Sequence, residues 1–293
     1  MHKPALSIRE QVLLLKGRGL EFLPGEETEI EAFLLNVNYY RAAGYWRFYF
    51  NAPNDALSGF KSGTAFSQIR NLYSWDEELR RLLLEGLAKY EVTFRARLAH
   101  FFCMHLPPTS YLDPDSYNEV FHKAKKGMVS SRSGLLDSVK RDLQKSSDPS
   151  VIRFAQENQT PPIWVAIEVF SMGTLSKMYS VALDDIRFKL SKSLRLPSPE
   201  FAETLFHSLT IFRNHLAHHG RIWRWTPSYP PQVLKSLKVE QDRSIYERTP
   251  WGLIVSLMHQ IDLIDGSPDW SARLTDHINC NQNFKFGLTH PRY

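Results

Sequence analysis

Two long amphipathic patterns dominate the chain and predict its two main helices. Apolar residues at intervals of three and four are typical of a helix that faces a core. The first stripe covers about residues 76–105 and consists of Leu79, Leu82, Leu83, Leu87, Tyr90, Phe94, Leu98 and Phe101. The second stripe consists of Leu205, Leu209, Phe212 and Leu216. Ser198, Pro199 and Glu200 predict where the second helix starts, and we expect Gly220 to end it in the left-handed conformation.

Shorter patterns predict the remaining helices and no sheet. A capping box of Ser7 and Glu10 starts the first helix. Thr64 is expected to cap a short helix before the longest one. The other predicted helices cover about residues 27–37, 161–170 with a continuation over 175–183 after a break at Gly173–Thr174, 184–194, 250–265 and 268–278. No stretch alternates apolar and polar residues over any length, so the predicted fold class is all-α.

The end of the second main helix carries the chain's densest group of chemically active side chains. Arg213 and Asn214 are followed by His218 and His219, and Arg221 lies just beyond. On an ideal helix Arg213 and His218 lie about 140° apart, whereas Asn214 and His218 share a face. Arg213 and His218 could therefore act on one group only in a cleft that wraps the helix end, such as one completed by a second copy of the chain.

Two other interpretations of this motif stay open at the level of sequence. A basic helix terminus can simply complement the negative end of the helix dipole. Alternatively, His215 and His219, at i and i+4 beside His218, have a spacing that can chelate zinc. No acidic residue lies within the motif, and the chain has no Cys-x-x-Cys.

Composition indicates an ordered protein with a polyanionic partner. The chain has 293 residues, 43% of them hydrophobic and 13% aromatic, a net charge of +5 and a pI near 9.1. The hydrophobic content is enough for a real core, and the positive charge fits a polyanionic partner without establishing one. The two cysteines, Cys103 and Cys280, form no disulfide framework and indicate a reducing compartment. No signal peptide or membrane span is recognisable, so we expect a soluble cytoplasmic protein that binds no membrane.

Residues 113–150 form the most basic part of the chain, and a second segment is rich in aromatic residues. The basic side chains could follow a phosphate backbone or form a solvated helix face. Those we consider for RNA binding, together with Arg221, are Lys123, Lys125, Lys126, Arg132, Lys140 and Arg141. Residues 39–50 are interpreted as a core-lining aromatic corner in preference to a base-stacking platform. Glu91 and Arg95 are interpreted as a surface ion pair, and Glu168, in an apolar stretch, requires a partner.

Several stretches, taken together, resemble the Abi family of bacterial abortive-infection proteins, in particular its AbiD/AbiF-like group. They keep their order over about three quarters of the chain. They are residues 3–7 with Gln11, 39–46, 63–66, 79–84, 91–95, 161–168, 173–176 and 213–223. This family belongs to the HEPN superfamily of α-helical, usually dimeric proteins, many of them metal-independent ribonucleases with an Arg-x(4–6)-His motif. Arg213 and His218 match that motif, Asn214 is the polar residue that commonly follows the arginine, and His219 fits the next longer spacing.

The resemblance implies a HEPN-like helical bundle and an RNA-cleaving activity in phage defence. We expect an N-terminal helical and aromatic segment over residues 1–60, the HEPN-like domain over 61–225 with a basic insertion at 107–160, and a C-terminal helical tail over 226–293. The sequence departs from the family pattern in having Gly220 where many members carry a tyrosine, and in having His215 where an apolar residue is expected.

The residue types suit RNA cleavage without a metal or a cofactor. A histidine can move the 2′-hydroxyl or 5′-oxygen proton, and an arginine can stabilise the phosphorane. We therefore expect Arg213, Asn214, His218 and His219 to be catalytic in a homodimer, with RNA as substrate and an inhibitory RNA or a protein antitoxin as candidate partner. A non-catalytic RNA-binding or protein-interaction module is the alternative, and a zinc protein is a third.

Overall fold

A helical bundle built around one long central helix forms the protein. The computed structural model describes residues 5–55, 57–124 and 127–291. The helices are α1 (Ile8–Gly17), α2 (Glu26–Val37), α3 (Tyr39–Trp46), α4 (Phe66–Cys103), α5 (Ser131–Lys145), α6 (Pro149–Gln156), α7 (Ile163–Ala166), α8 (Met172–Val181), α9 (Asp184–Ser193), α10 (Pro199–Ala217), α11 (Pro250–Asp265), α12 (Asp269–Asn279) and α13 (Gln282–Thr289). The predicted all-α class is confirmed.

The basic segment contains a feature that the sequence patterns did not predict. Strands β1 (Phe121–Ala124) and β2 (Gly127–Ser130) pair antiparallel, with Phe121 opposite Ser130. Ser130 also caps α5, because its side chain accepts a hydrogen bond from the backbone N–H of Ser133. The hairpin is too short to change the fold class, since it adds only one small ribbon to a helical molecule.

Helix α4 is longer than predicted and supports most of the other elements. It is a single helix that begins at Phe66, so the predicted boundary near residue 76 and the separate short helix before it are wrong. Phe66, Ile69 and Leu72 are all buried, so they extend the apolar stripe upstream by the same three-residue steps. With 38 residues the helix is about 57 Å long. Helices α3, α7, α9, α10, α11 and α12 all pack against it.

The N-terminal part packs its aromatic residues into the core. The capping box of Ser7 and Glu10 starts α1 as predicted. Tyr45, Trp46 and Phe50 are buried, which confirms the core-lining interpretation of the aromatic segment for these three side chains. Helix α3, which carries two of these side chains, packs against both α2 and α4.

The chain between residues 161 and 183 breaks earlier than predicted. Helix α7 and a 3₁₀ turn over Ile167–Val169 end at Phe170, and α8 begins at Met172. The predicted break at Gly173–Thr174 is therefore wrong, since both residues lie in the first turn of α8. Ser171 is the reason, because its hydroxyl accepts a hydrogen bond from the backbone N–H of Thr174 and caps the helix there.

The C-terminal helices complete the core. Thr249 and Pro250 start α11 and left-handed Gly266 ends it, as predicted, while α13 was not predicted. Buried residues of the N-terminal part, α4, α8 to α10 and the C-terminal helices form one continuous cluster. The division at residues 60 and 225 stays a prediction. Within the described residues, none of the helices has the length and apolar character needed to cross a membrane.

Candidate active site at the end of helix α10

Helix α10 ends in a hydrogen-bonded cap that fixes the backbone of the motif. Its last residue is Ala217, and His218 is the cap residue. The N–H of His219 donates to the carbonyl of Leu216, and the N–H of Gly220 donates to that of His215 at 2.7 Å. This pair of bonds is the Schellman arrangement, whose left-handed position is here His219, with φ of +56°. The expectation that Gly220 takes the left-handed conformation is therefore wrong by one residue.

A glycine is needed at position 220 because a larger residue would collide with a neighbouring ring, and not because the backbone there is left-handed. A Cβ atom built on it would lie 2.3 Å from the ring of His215. That ring stacks on Trp225 with 4.1 Å between centroids, and its Nε2 lies 2.8 Å from the carbonyl oxygen of Arg221. His215, which the family pattern did not lead us to expect, thus fastens the turn after the helix. Burial lowers the pKa of its imidazole, while the hydrogen bond to Arg221 opposes that shift.

A buried carboxylate on α4 holds the chain that leaves the motif. Asp76 accepts hydrogen bonds from the Tyr45 hydroxyl at 2.7 Å and from the backbone N–H groups of Ile222 and Trp223 at 3.2 and 2.7 Å. Burial raises the pKa of the Asp76 carboxyl, and the hydrogen bonds and nearby Arg80 act in the opposite direction. The loop is therefore tied to the N-terminal third of the longest helix. We call Asp76 and its three donors the Asp76 clamp.

The C-terminal tail covers the other side of the same loop. Helix α13 lies against Trp223, whose indole N–H donates to the carbonyl of Asn283 at 3.3 Å. The N–H of Arg224 donates to the carbonyl of Gly287 at 2.9 Å. A Cβ atom on Gly287 would come within 2.0 Å of the Trp223 ring, so only glycine permits this approach. Because α4 and α13 both hold this segment, its backbone has little freedom to move.

The four predicted catalytic residues lie on the open side of this helix end. Asn214, His218 and His219 are exposed, and Arg213 is partly exposed, with 41% of its side chain accessible. The structure thus brings all four to one terminus of α10. The backbone N–H of His218 donates to the carbonyl of Asn214 at 3.0 Å, which keeps these two residues in register. The catalytic roles of all four stay predictions.

Arg213 belongs to a chain of alternating charges that the sequence patterns did not reveal. Its Nε lies 3.5 Å from a carboxylate oxygen of Glu91, and Arg95 lies 3.1 Å from the other. Arg95 also contacts Glu168 at 3.4 Å, which gives Glu168 its expected partner. The Glu91 and Arg95 side chains are only 13% and 14% exposed, so the interpretation as a surface ion pair is wrong. The row runs from the motif across α4 to the turn after α7.

The end of α10 carries a group that can bind phosphate and groups that can transfer a proton. An arginine held by a carboxylate through Nε can still present its terminal nitrogens to a phosphate. The imidazoles of His218 and His219 are exposed at the same helix end, and an imidazole can donate or accept a proton. Glu91 orients the guanidinium while the helix end stays accessible to a polymer.

The predicted RNA-binding residues differ in their exposure and in the partners that already hold them. Arg221 lies over the Tyr45 ring at 5.8 Å, beside the Asp76 clamp. Arg132 is held by Glu119 at 2.5 Å, and Lys140 and Arg141 are exposed on α5, with Nε of Arg141 3.7 Å from Asp142. The remaining three are Lys123, whose backbone lies in β1 and whose side chain is outside the described part, and Lys125 and Lys126, which lie outside the described residues.

The zinc alternative finds no set of ligands in the part of the chain that the structure describes. Among those residues, no three histidine, cysteine, aspartate or glutamate side chains form a group that could hold a metal ion. Nε2 of His215, one of the two histidines proposed as ligands, already contacts the Arg221 carbonyl. A structural zinc site normally needs four ligands, so the residues present do not fit one.

The sequence patterns did not identify Asp76, and they led us to place Glu91 at the surface. Each residue nevertheless has a signal in the sequence. Asp76 lies three and seven residues before Leu79 and Leu83, on the apolar stripe, where a carboxylate requires buried partners. Glu91 and Arg95 have the i, i+4 spacing of a helix ion pair. The spacing could not show that Arg213 of α10 would pair with Glu91, or that Arg95 would meet Glu168 and the Phe170 carbonyl.

Comparison with known proteins agrees with the resemblance seen in the sequence. A family model described as Abi-like protein matches residues 32–224, about two thirds of the chain. The match runs from α2 to the residue just after Trp223, so it includes α4, α10 and the whole motif. Neither the curated proteins nor the solved structures contain a match. The chain belongs to the family of Abi-like proteins.

Proposed function

We propose that this protein is a metal-independent endoribonuclease of the HEPN type that acts in abortive infection, a bacterial defence against phage. The observation that carries the proposal is the arrangement of Arg213, Asn214, His218 and His219 at one open helix end, above a firmly held loop. The Abi-like family supports the role in phage defence. The AbiD/AbiF-like subgroup, the cytoplasmic location and an inhibitory RNA or protein antitoxin belong to the same proposal.

In the proposed reaction the 2′-hydroxyl of the RNA attacks the adjacent phosphate. His218 takes or returns the proton, and Arg213 stabilises the charge that grows on the phosphorane oxygens. Asn214, in register with His218, contacts the substrate, and His219 supplies a second proton-transfer group. The ion pair with Glu91 orients the guanidinium of Arg213 towards the phosphate. A guanidinium that is already anchored loses less conformational entropy when it binds the substrate.

We further propose that the active protein is a dimer whose cleft lies on the two-fold axis. Two elements beside the motif expose apolar side chains, namely Val92 on α4, 61% exposed, and Trp164 on α7, 55% exposed. Trp164 borders a cavity of about 400 Å³ that Ala96 and His100 of α4 also line. Val92 follows Glu91 directly, so a copy seated on this surface would also approach Arg213.

The alternative proposal is a non-catalytic module in which the motif only grips phosphate or a protein. The ion pair between Arg213 and Glu91 is compatible with this alternative. An arginine that is paired with a carboxylate can hold the phosphate backbone of RNA in place without taking part in a reaction. The two proposals differ in one respect, which is whether the RNA is cut.

The decisive experiment incubates the purified protein with total RNA, with and without EDTA, and maps the cut ends. We expect cleavage that EDTA leaves unchanged, with 2′,3′-cyclic phosphate and 5′-hydroxyl ends. Ends that carry 5′-phosphate, or strict dependence on Mg²⁺, would contradict the histidine and arginine mechanism. Tight RNA binding without any cutting would favour the non-catalytic module.

Subunit mixing tests the shared cleft. Protomers with Arg213→Ala are mixed with protomers with His218→Ala, and random pairing makes about half of the dimers hybrids with one intact copy of each residue. Recovery of cleavage from two inactive parents is the expected result. A monomer in sedimentation that cuts RNA at the full rate would rule out the shared cleft.

A further inference from the structure

A cavity lined by residues with polar side chains lies one turn of α10 before the motif and has no part in the chemistry proposed so far. Its volume is about 370 Å³, within the range of small-molecule sites in proteins, which begins at about 300 Å³. It lies between α8 and α10 and is closed at one side by the loop that follows the motif. The lining residues that matter for its chemistry are Ser176, Lys177, Glu203, His207, Thr210 and Tyr229.

The cavity lies on the part of the α10 circumference that separates Arg213 from His218. If Arg213 is placed at 0° on an ideal helix, Thr210 lies at about 60°, Glu203 at about 80°, His207 at about 120° and His218 at about 140°. The three cavity residues therefore lie on the arc of α10 between Arg213 and His218. Along the helix axis, Thr210 lies about 4.5 Å from Arg213, whereas His207 lies about 9 Å from Arg213 and about 16.5 Å from His218. A strand bound at the motif and running along α10 would pass over this cavity.

The loop after the motif turns back along α10 and brings an aromatic ring to the cavity. Trp225 stacks on Phe212 near the helix end, with 5.7 Å between centroids. Further along the loop, Tyr229 meets His207 edge to face at 4.5 Å. The same loop whose start is held by the Asp76 clamp thus carries Tyr229 into place. Tyr229 remains 43% exposed, so part of its ring is open to a ligand.

The polar groups suit the edge of a nucleobase and the sugar-phosphate next to it. Lys177 presents an ammonium group, which donates to the Ser138 hydroxyl at 2.9 Å. Glu203 presents a carboxylate that Arg187 balances at 2.6 Å, so the cavity has no excess negative charge that would repel RNA. A carboxylate can accept from an exocyclic amino group, an ammonium can donate to a base carbonyl or a phosphate, and an aromatic ring can stack on any base.

We propose that this cavity binds one nucleotide of the RNA strand beside the scissile phosphate, with its base against Tyr229 and its polar edge towards Lys177 and Glu203. The pocket would give the enzyme a base preference at one position next to the cut. This inference rests on the proposed function, because it assigns the substrate contact next to the same motif.

The test compares cut-site preference in the wild type, Tyr229→Ala and Tyr229→Phe on RNA of random sequence. Loss of the ring should flatten the base frequencies at one position near the cut and raise KM about tenfold, because the base loses its stacking partner. The kcat should change much less, since the motif is untouched. Tyr229→Phe keeps the ring and should keep the preference. Tyr40→Ala removes an exposed tyrosine from α3 and is the matched control.

Binding measurements separate this inference from the proposed function. Short oligoribonucleotides are titrated into Arg213→Ala, with and without Tyr229→Ala. If the wild type never cuts RNA but binding weakens when Tyr229 is removed, the pocket stands and the nuclease proposal fails. If a folded Tyr229→Ala cuts with unchanged base frequencies and unchanged KM, the pocket is refuted and the nuclease proposal stands. Absence of both cleavage and binding would refute both.

Discussion

The two sides of the end of α10 differ in how their polar groups are used. On the inner side, Asp76 is fully buried and accepts hydrogen bonds from Tyr45 and from two backbone groups of the following loop. On the outer side, Asn214 and His218 face solvent. A buried charge that lacked such partners would cost several kcal/mol, whereas an exposed imidazole costs little. The inner side therefore contributes stability, and the outer side is free to contribute chemistry.

This division explains how an open site can still be well ordered. Catalytic groups need to be held close to their working geometry, and a site on a rigid element achieves this better than one on a mobile loop. Here the Schellman cap, the ring of His215 and the Asp76 clamp all act on the few residues around His218. The exposed side chains thus project from a backbone that contacts on its buried side hold in place.

The largest effect is expected on the outer side. Arg213→Ala or His218→Ala should reduce RNA cleavage by roughly 10²–10⁴-fold, because in the proposed reaction each side chain supplies charge stabilisation or proton transfer to the transition state. The free energy of unfolding should change by less than about 1 kcal/mol, since both side chains reach solvent. Cleavage rates and urea unfolding of the same preparations test both statements.

Arg81→Ala is the matched control for Arg213→Ala. Arg81 is an exposed arginine on α4 whose guanidinium pairs with Glu78. It should leave cleavage unchanged. If well-folded Arg213→Ala and His218→Ala also cut at the wild-type rate, the assignment of chemistry to the outer side would be wrong.

On the inner side, Asp76→Ala should destabilise the protein strongly. It leaves the Tyr45 hydroxyl and two backbone N–H groups without their acceptor, and each buried group left unpaired costs about 1–3 kcal/mol. The expected loss in free energy of unfolding is therefore on the order of 3 kcal/mol or more. Asp76→Asn keeps an acceptor oxygen and should lose less.

Asp137→Ala, which removes an exposed aspartate from α5, provides the baseline for that measurement. It should change the free energy of unfolding by about 0.5 kcal/mol or less. An Asp76→Ala variant as stable as this control would show that the clamp does not hold the loop.

The same contrast shows what could be predicted from the sequence. Apolar periodicity and a capping serine located α10, because both signals are local to the helix that they describe. The motif residues could also be singled out, because their spacing is local, and their catalytic roles stay predictions. Asp76 was missed because its partners, Ile222 and Trp223, lie almost 150 positions along the chain. Helix α13 was missed because it is short and buries few apolar side chains.

Contacts between elements account for the remaining surprises. The pairing of Arg213 with Glu91 depends on how α10 crosses α4, which neither helix encodes by itself. The meeting of Tyr229 with His207 depends on the direction of a proline-rich loop. Such facts follow from packing rather than from periodicity, so they appear only when the helices are placed together.

A smaller effect on the inner side should depend on pH. Burial lowers the pKa of His215 below the usual histidine value of about 6.5, so the unfolded chain binds this proton more tightly than the folded protein does. The contribution to stability is complete above about pH 6.5 and is lost as the pH falls towards the lowered pKa. Urea unfolding of the wild type and of His215→Gln at pH 7.5 and 5.5 measures it.

The variant His215→Gln has no titrating group at this position and should lose less stability between the two pH values than the wild type. The half-buried side chain of His259, whose pKa is lowered in the same direction, is present in both proteins and cancels in the comparison. Equal pH dependence in the two proteins would show that His215 is not held in its neutral form.

The smallest effect concerns His219, whose backbone is part of the helix cap and whose side chain is exposed on the outer side. Its backbone has φ of +56°, a conformation that costs a residue with a Cβ roughly 1–2 kcal/mol, while glycine loses about 0.5–1 kcal/mol through its freer unfolded state. His219→Gly should therefore raise the free energy of unfolding by about 0.5 kcal/mol, whereas His219→Ala keeps the strained backbone and should not. Both remove the imidazole, so both should slow cleavage equally, and by less than His218→Ala does. A histidine that lowers stability while aiding cleavage would be retained at this turn for its chemistry. If His219→Gly is no more stable than His219→Ala, the left-handed turn is not strained, and if either slows cleavage more than His218→Ala, the two histidines exchange roles.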